Sequence, residues 1–198
     1  MRAPRVAPGR RRQLGLVNFL LGKALSRGAG VREAHLFTTL GRNRSLFRAW
    51  LVYSGALMLR GRLPRRETEL VILRVAHHCD SDYERRHHVR LGRRAGLTTE
   101  EIERTRADDR EGWKPSDAVL LAATDQLIAH EGVDDATWAR LRSYWDEAQT
   151  IELTLLVGQY RGLATTIRTL GIAPDPSTDR DRRRTFGRPT AGETRCTT

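Results

Sequence analysis

The chain is 198 residues long and 39% hydrophobic, and it carries 35 Lys and Arg against 24 Asp and Glu, a formal charge of +11. That length and apolar content suit one globular domain, and no uncharged run approaches the roughly 18 apolar residues a membrane-spanning helix needs. The charge does not mark a nucleic-acid binder: residues 1–12 hold +5, residues 171–198 hold +2, and the body between them only +4, without interleaved aromatics or a recognition motif.

Residues 1–12 and 173–198 are rich in Arg, Pro and Thr and poor in large apolar side chains. Both are expected to be disordered tails, because they cannot offset their own ordering entropy, leaving 13–172 as the domain. Within it the apolar spacing is helical throughout, with no run of alternating β-branched residues, so the fold class is all-α. Leu14, Leu16, Phe19, Leu20 and Leu25 form a first amphipathic segment, and Phe47, Trp50, Leu51, Ser54 and Leu57 line one face of a second. Pro64 opens a third helix that is apolar on nearly all sides through Leu70-Val71-Ile72-Leu73 and is therefore buried at the centre. Ser81 and Glu84 fit a capping box at the start of a fourth, and Thr98 with Glu101 a second box, stapled by Leu97 and Ile102. Ser116 is the expected cap of a helix through Ile128. A last helix, Glu147 to Leu170, ends at Gly171 and is barred from continuing by Pro174.

Cys79 and Cys196 are too few and too far apart for a disulfide framework, which points to a reducing, cytoplasmic setting. His77, His78, Cys79, His87 and His88 crowd into twelve residues, yet the segment offers neither a Cys-x2-Cys pair nor a His-Glu-x-x-His helix, so no metal is assigned. Helical geometry is more informative. Ser81, Glu84 and His88 are spaced by three and four residues and lie along one stripe. If the central helix packs back across the short turn near Cys79, Glu69 approaches that stripe. A carboxylate beside an imidazole in an apolar setting makes a tunable proton relay.

The stretch from Glu69-Leu70-Val71-Ile72-Leu73 through Tyr83-Glu84-Arg85-Arg86-His87-His88 to Gly96-Leu97-Thr98-Thr99-Glu100-Glu101-Ile102 resembles the carboxymuconolactone decarboxylase family, which includes alkylhydroperoxidase D. Leu63-Pro64 and the closing Glu152 to Gly171 extend the resemblance over about residues 34–172. The resemblance implies a compact multi-helix fold with a central buried helical hairpin, assembled as a dimer, trimer or hexamer. In the peroxidase branch a Glu and a His activate a Cys-x-x-Cys. Matched on His88, that Glu is Glu69, and the two Cys positions are Ser81 and Glu84, so the relay is kept and both thiols are gone. A dithiol mechanism cannot operate without the thiolate. In the decarboxylase-like branch a Tyr-Glu-Trp-x-x-His pattern is met at Tyr83, Glu84 and His88, with Arg85 where the Trp stands.

Three readings follow. The leading one is an enzyme needing no cofactor, in which His88 and Glu69, with Glu84 and Ser81, move protons on a small carboxylated or lactone-like substrate held by Tyr83, Arg74 or Arg85. The second is a peroxidase using Cys79 as its single thiol, placed near a helix N-terminus. The third is non-enzymatic, with the Arg-rich tails as an electrostatic arm for nucleic acid or an acidic partner, and a catalytically silent family member is the remaining alternative.

Overall fold

The computed structural model describes residues 3–130 and 132–176, and within them the chain forms nine helices and no strand. They are α1 (Arg11–Gly28), α2 (His35–Leu40), α3 (Arg44–Leu59), α4 (Arg65–His78), α5 (Asp82–Arg94), α6 (Thr99–Arg104), α7 (Pro115–Ala129), α8 (Asp135–Arg142) and α9 (Glu147–Leu170). The central helix is α4. Every residue from Thr68 to Ala76 is buried, because α4 packs against α5, α7 and α9 at once. That explains why its sequence shows no polar face.

The turn from α4 into α5 takes three residues. Asp80 adopts φ 50, a left-handed conformation that Asp tolerates better than most side chains, and the Ser81 N–H donates to the Ala76 carbonyl at 2.8 Å. The chain enters α5 with Ser81 at φ −100 and ψ 82, and its hydroxyl accepts no helix N–H. The expected Ser81–Glu84 capping box therefore does not form. Antiparallel packing brings α5 close to α4 at Gly92, where a Cβ would meet Leu97 and Leu73 side chains at 3.0 and 3.4 Å.

The second capping box is present: Glu101 N–H donates to Thr98 Oγ1 at 3.1 Å and Thr98 N–H to Glu101 Oε2 at 2.8 Å. Leu97 and Ile102 are both buried beside it. Helix α7 starts one residue ahead of its expected cap, with Pro115 in its first turn and Lys114 as the cap. Proline's fixed φ favours that position. Helix α9 runs over the expected residues and ends at Gly171 with φ 65, the left-handed conformation glycine adopts without cost.

Two expectations need correction. Helix α1 buries Leu14, Asn18, Gly22 and Ser26, a stripe repeating every four residues, while Leu16 and Leu20 are each 56% exposed. Polar bonds dock this helix: Asn18 Nδ2 donates to the Gly41 and Arg44 carbonyls at 3.1 and 3.2 Å, and Ser26 Oγ accepts the Ala34 N–H at 2.9 Å. The tail boundaries also move. Residues 3–10 follow the body, with the Arg5 and Val6 N–H groups on the Leu170 carbonyl and Gly9 N–H on Thr38 O, and Arg11 and Arg12 belong to α1. At the other end Asp175 is bound into the domain, as described below. The rest of the expected C-terminal tail, 177–198, lies outside the described residues.

Candidate active site

A cavity of about 460 Å³ opens between α1, α3, α5 and α9, walled by Leu25, Trp50, Leu51, Leu57 and Leu163. Of the α3 face expected from spacing, Trp50, Leu51, Ser54 and Leu57 line this wall, while Phe47 is buried outside it. Helix α5 lines the cavity with Tyr83, Glu84, His87 and His88, and further along with Arg90, Leu91 and Arg94.

Behind His88, Glu69 is fully buried on α4. His88 Nδ1 lies 2.7 Å from Glu69 Oε2, and the Arg65 guanidinium, one turn earlier on α4, is paired with the other carboxylate oxygen. A carboxylate only accepts, so Nδ1 carries the proton and Nε2 is the ring atom turned to the cavity. Tyr160 of α9 packs edge-on against the imidazole with centroids 5.0 Å apart, and its hydroxyl meets Met58 Sδ at 3.2 Å. Burial, with Glu69 and Glu84 nearby, pushes the Tyr160 phenol well above its usual range.

Glu84 is 3% exposed, and neither carboxyl oxygen finds a hydrogen-bond partner in good geometry. Burial pushes its pKa up to about 7, against the opposing effect of the Ser81 hydroxyl. An acid with that value holds and releases a proton near neutrality. Ser81 itself is buried outside the cavity wall.

The histidine-rich segment resolves into separate pairs. His88 belongs to Glu69, His87 Nε2 lies 3.0 Å from Asp175 Oδ2, and His78 Nε2 lies 2.7 Å from Asp125 Oδ1. Three imidazoles are thus held by three different carboxylates. Asp175 is the partner that sequence spacing could not supply. Its Oδ1 accepts the Tyr83 hydroxyl and the His35 backbone N–H, each at 2.8 Å, and Tyr83 Oη in turn accepts the Leu36 N–H at 3.2 Å.

Arg74 and Arg85, the expected substrate-binding arginines, are not on the cavity wall. Arg74 is 1% exposed and spends its donors on Asp125, Asp108 and the carbonyls of Thr105 and Ala107. Arg85 reaches back to Thr105 Oγ1, Ile102 O and Glu103 at 3.3 to 3.4 Å. Both serve the 102–108 turn. The arginines that do line the cavity are Arg90 and Arg94.

Cys79 is half-buried and closes the C-terminal end of α4, outside the cavity wall. A helix C-terminus disfavours an anion, and burial, then the Glu84 charge, push the thiol up, with Arg161 and Arg168 opposing. Cys79 also stands three residues ahead of α5, as expected, but its thiol is raised where that placement was expected to lower it. Sequence reasoning missed Tyr160, Arg65 and Asp175 as members of this constellation. Tyr160 left a signal, as a hydroxyl interrupting the apolar stripe Leu153, Leu156, Leu163 and Ile167 of α9, and so did Arg65, spaced four residues from Glu69 on one helix.

Residues 44–125 match the carboxymuconolactone decarboxylase family. Among curated proteins none matches this sequence. A solved structure described as an alkylhydroperoxidase AhpD core, an uncharacterized peroxidase-related protein from Ralstonia eutropha JMP134, superposes with a TM-score of 0.74 at 18% identity, covering 88% of this chain and 94% of that one. The debrominase Bmp8 superposes with a TM-score of 0.72 at 14% identity, covering 85% and 91%. A putative antioxidant defence protein AhpD from Agrobacterium tumefaciens gives 0.61 at 19% identity, covering 68% and 92%. At these identities the likeness is one of fold.

Proposed function

Given that the chain belongs to the carboxymuconolactone decarboxylase family through residues 44–125, we propose that it is an enzyme of acid–base chemistry on a small carbonyl compound, carboxylated or lactone-like, held in the α1–α3–α5–α9 cavity. The observation that carries this reading is the 2.7 Å contact of His88 Nδ1 with a fully buried Glu69 carboxylate, on an imidazole that lines the cavity. His88 Nε2 takes a proton from carbon beside the substrate carbonyl. Glu69 stabilises the imidazolium that results and fixes its tautomer, with Arg65 holding the carboxylate in place. Glu84, protonated in part at neutral pH, returns a proton to the enolate formed. Electrons end where they began and no redox partner is needed. The placement of Cys79 gives the thiol peroxidase reading no comparable support.

The test is deuterium incorporation from D2O into a panel of lactones and hydroxy or keto acids, followed by mass spectrometry with wild type, His88→Ala and Glu69→Gln. Exchange in the wild type that falls by roughly 100-fold or more in each variant, the usual worth of a general acid–base group, supports the reading. Exchange unaffected by both substitutions, or absent across the panel, overturns it.

The assembled state that the family implies, a homo-oligomer, draws support from exposed apolar side chains: Leu16, Val17 and Leu20 on α1, Val52 on α3, and Ile151 and Leu155 on α9. Sedimentation velocity of the full chain tests it, a single monomeric species being the adverse result.

A further inference from the structure

The cavity is unusual for a site that handles a small polar acid. Beyond the α5 groups its wall is almost wholly aliphatic and aromatic, from Leu21 and Leu25 through Trp50, Leu51 and Met58 to Leu163. Only one acid, Glu84, lines it, against the two guanidinium groups of Arg90 and Arg94. The two differ. Arg90 Nη2 is committed to the Ala29 carbonyl and to His87 Nδ1, both at 3.0 Å. Arg94 is exposed at the end of α5 and pairs with no acid among the described residues.

These groups are set out along a single helix. Glu84, His88, Leu91 and Arg94 all line the cavity, and at a rise of about 1.5 Å per residue His88 and Arg94 stand about 9 Å apart along the α5 axis. The proton-handling groups occupy one end of an apolar trough and an unpaired guanidinium the other. A guanidinium outside a largely apolar wall selects an anionic group that remains near water, while the wall selects the chain attached to it.

We propose that the ligand of this site is a medium-chain amphipathic carboxylate, with its carboxylate on Arg94, its alkyl body against Leu25, Trp50, Leu51 and Leu163, and its reacting carbonyl end at His88 and Glu84. This deepens the acid–base reading and rests on it for the chemistry, though not for the binding. It moves the carboxylate-binding role from Arg74 and Arg85, whose donors are used internally, to an arginine on the cavity itself.

Isothermal titration calorimetry of the full chain with decanoate, decanol and decyltrimethylammonium, on wild type, Arg94→Gln and His88→Ala, tests the assignment. Decanoate is expected to bind the wild type most tightly of the three. Arg94→Gln should weaken decanoate about tenfold and leave decanol unchanged, and His88→Ala should retain decanoate binding. Arg94 is exposed, so its substitution leaves the fold intact; Arg94→Glu should in addition reverse the preference towards decyltrimethylammonium. Equal decanoate affinity in wild type and Arg94→Gln, or wild-type binding of the cation as tight as of the carboxylate, overturns the proposal. So does failure of decanoate to bind. The two readings fail separately: bound decanoate without deuterium exchange on any carbonyl acid removes the acid–base chemistry and keeps the ligand class, while exchange on short acids without decanoate binding does the reverse.

Discussion

His88 and Glu69 meet at 2.7 Å from two successive helices, 19 residues apart in the chain, because the Asp80 turn folds α5 back along α4 and Gly92 lets the two approach closely. Residues that act as one unit lose their effect together. The double variant His88→Ala/Glu69→Gln should therefore be within about threefold of the worse single variant in the deuterium-exchange rate, where independent groups would multiply their losses. Initial rates of the four proteins decide between the two patterns.

Glu84 couples stability to pH. Its folded-state value near 7 stands above the ordinary 4.5, so between those values the folded protein keeps a proton that the unfolded chain has released. Stability contributed by the neutral carboxyl is complete below the lower value and declines as pH rises towards the upper one, then levels off. The gap corresponds to about 3 kcal/mol. Glu84→Gln removes the titration, so its stability relative to wild type should rise by about that amount between pH 4 and pH 8, measured by urea denaturation at each pH.

Cys79 should react slowly. With its thiol raised by burial and by Glu84, little thiolate is available at neutral pH. In a Cys196→Ser background, the iodoacetamide rate should trail that of free cysteine at pH 7.5 and gain more steeply at alkaline pH, with a midpoint above the ordinary thiol value. Mass spectrometry of timed samples gives the rates.

The arginines first read as substrate ligands should behave as structural groups, and unequally. Arg74→Met removes a fully buried guanidinium from the Thr105 and Ala107 carbonyls, while Asp125 keeps Arg110 and His78, and should cost about 1–3 kcal/mol through the carbonyls left unpaired. Arg85→Ala gives up only long contacts and an exposed ion pair and should cost about 1 kcal/mol or less. Chemical denaturation compares them, and neither substitution should alter decanoate affinity in the folded protein.

The Asp175 side chain, 5% exposed, should prove coupled to Tyr83. Asp175→Ala and Tyr83→Phe should each destabilise by about 1.5–3 kcal/mol. The double variant should cost less than their sum, since the second change removes a partner already lost. A denaturation double-mutant cycle measures the difference.

Much of the scaffold was legible in the sequence because it rests on local signals: the apolar α4, the Thr98–Glu101 box, and α9 ending at a left-handed Gly171. The Glu69–His88 pair was legible too, since a three-residue turn between two helices constrains which faces meet. What the sequence concealed is held by contacts distant in the chain. Asn18 and Ser26 dock α1 through polar bonds, so Leu16 and Leu20 are exposed although spacing placed them on the apolar face with Leu14. Arg74 and Arg85 lie in the motif but turn towards the 102–108 turn, which no periodicity reveals. The Ser81–Glu84 box looked correct by residue type, yet the backbone bonding through Asp80 brings the chain into α5 with no Ser81 cap bond and leaves the Glu84 carboxyl buried without a partner.

Asp175 binds the wall of the cavity through Tyr83 and His87 while sitting almost a hundred residues beyond them in the chain. Chain cleavage before that residue would leave every group of the acid–base pair in place and still unfasten the phenol and imidazole that frame the ligand. Affinity of the site and protection of this peptide segment from a protease are consequently two readings of one equilibrium: whatever tightens the cavity shields the segment, and by reciprocity whatever holds the segment tightens the cavity.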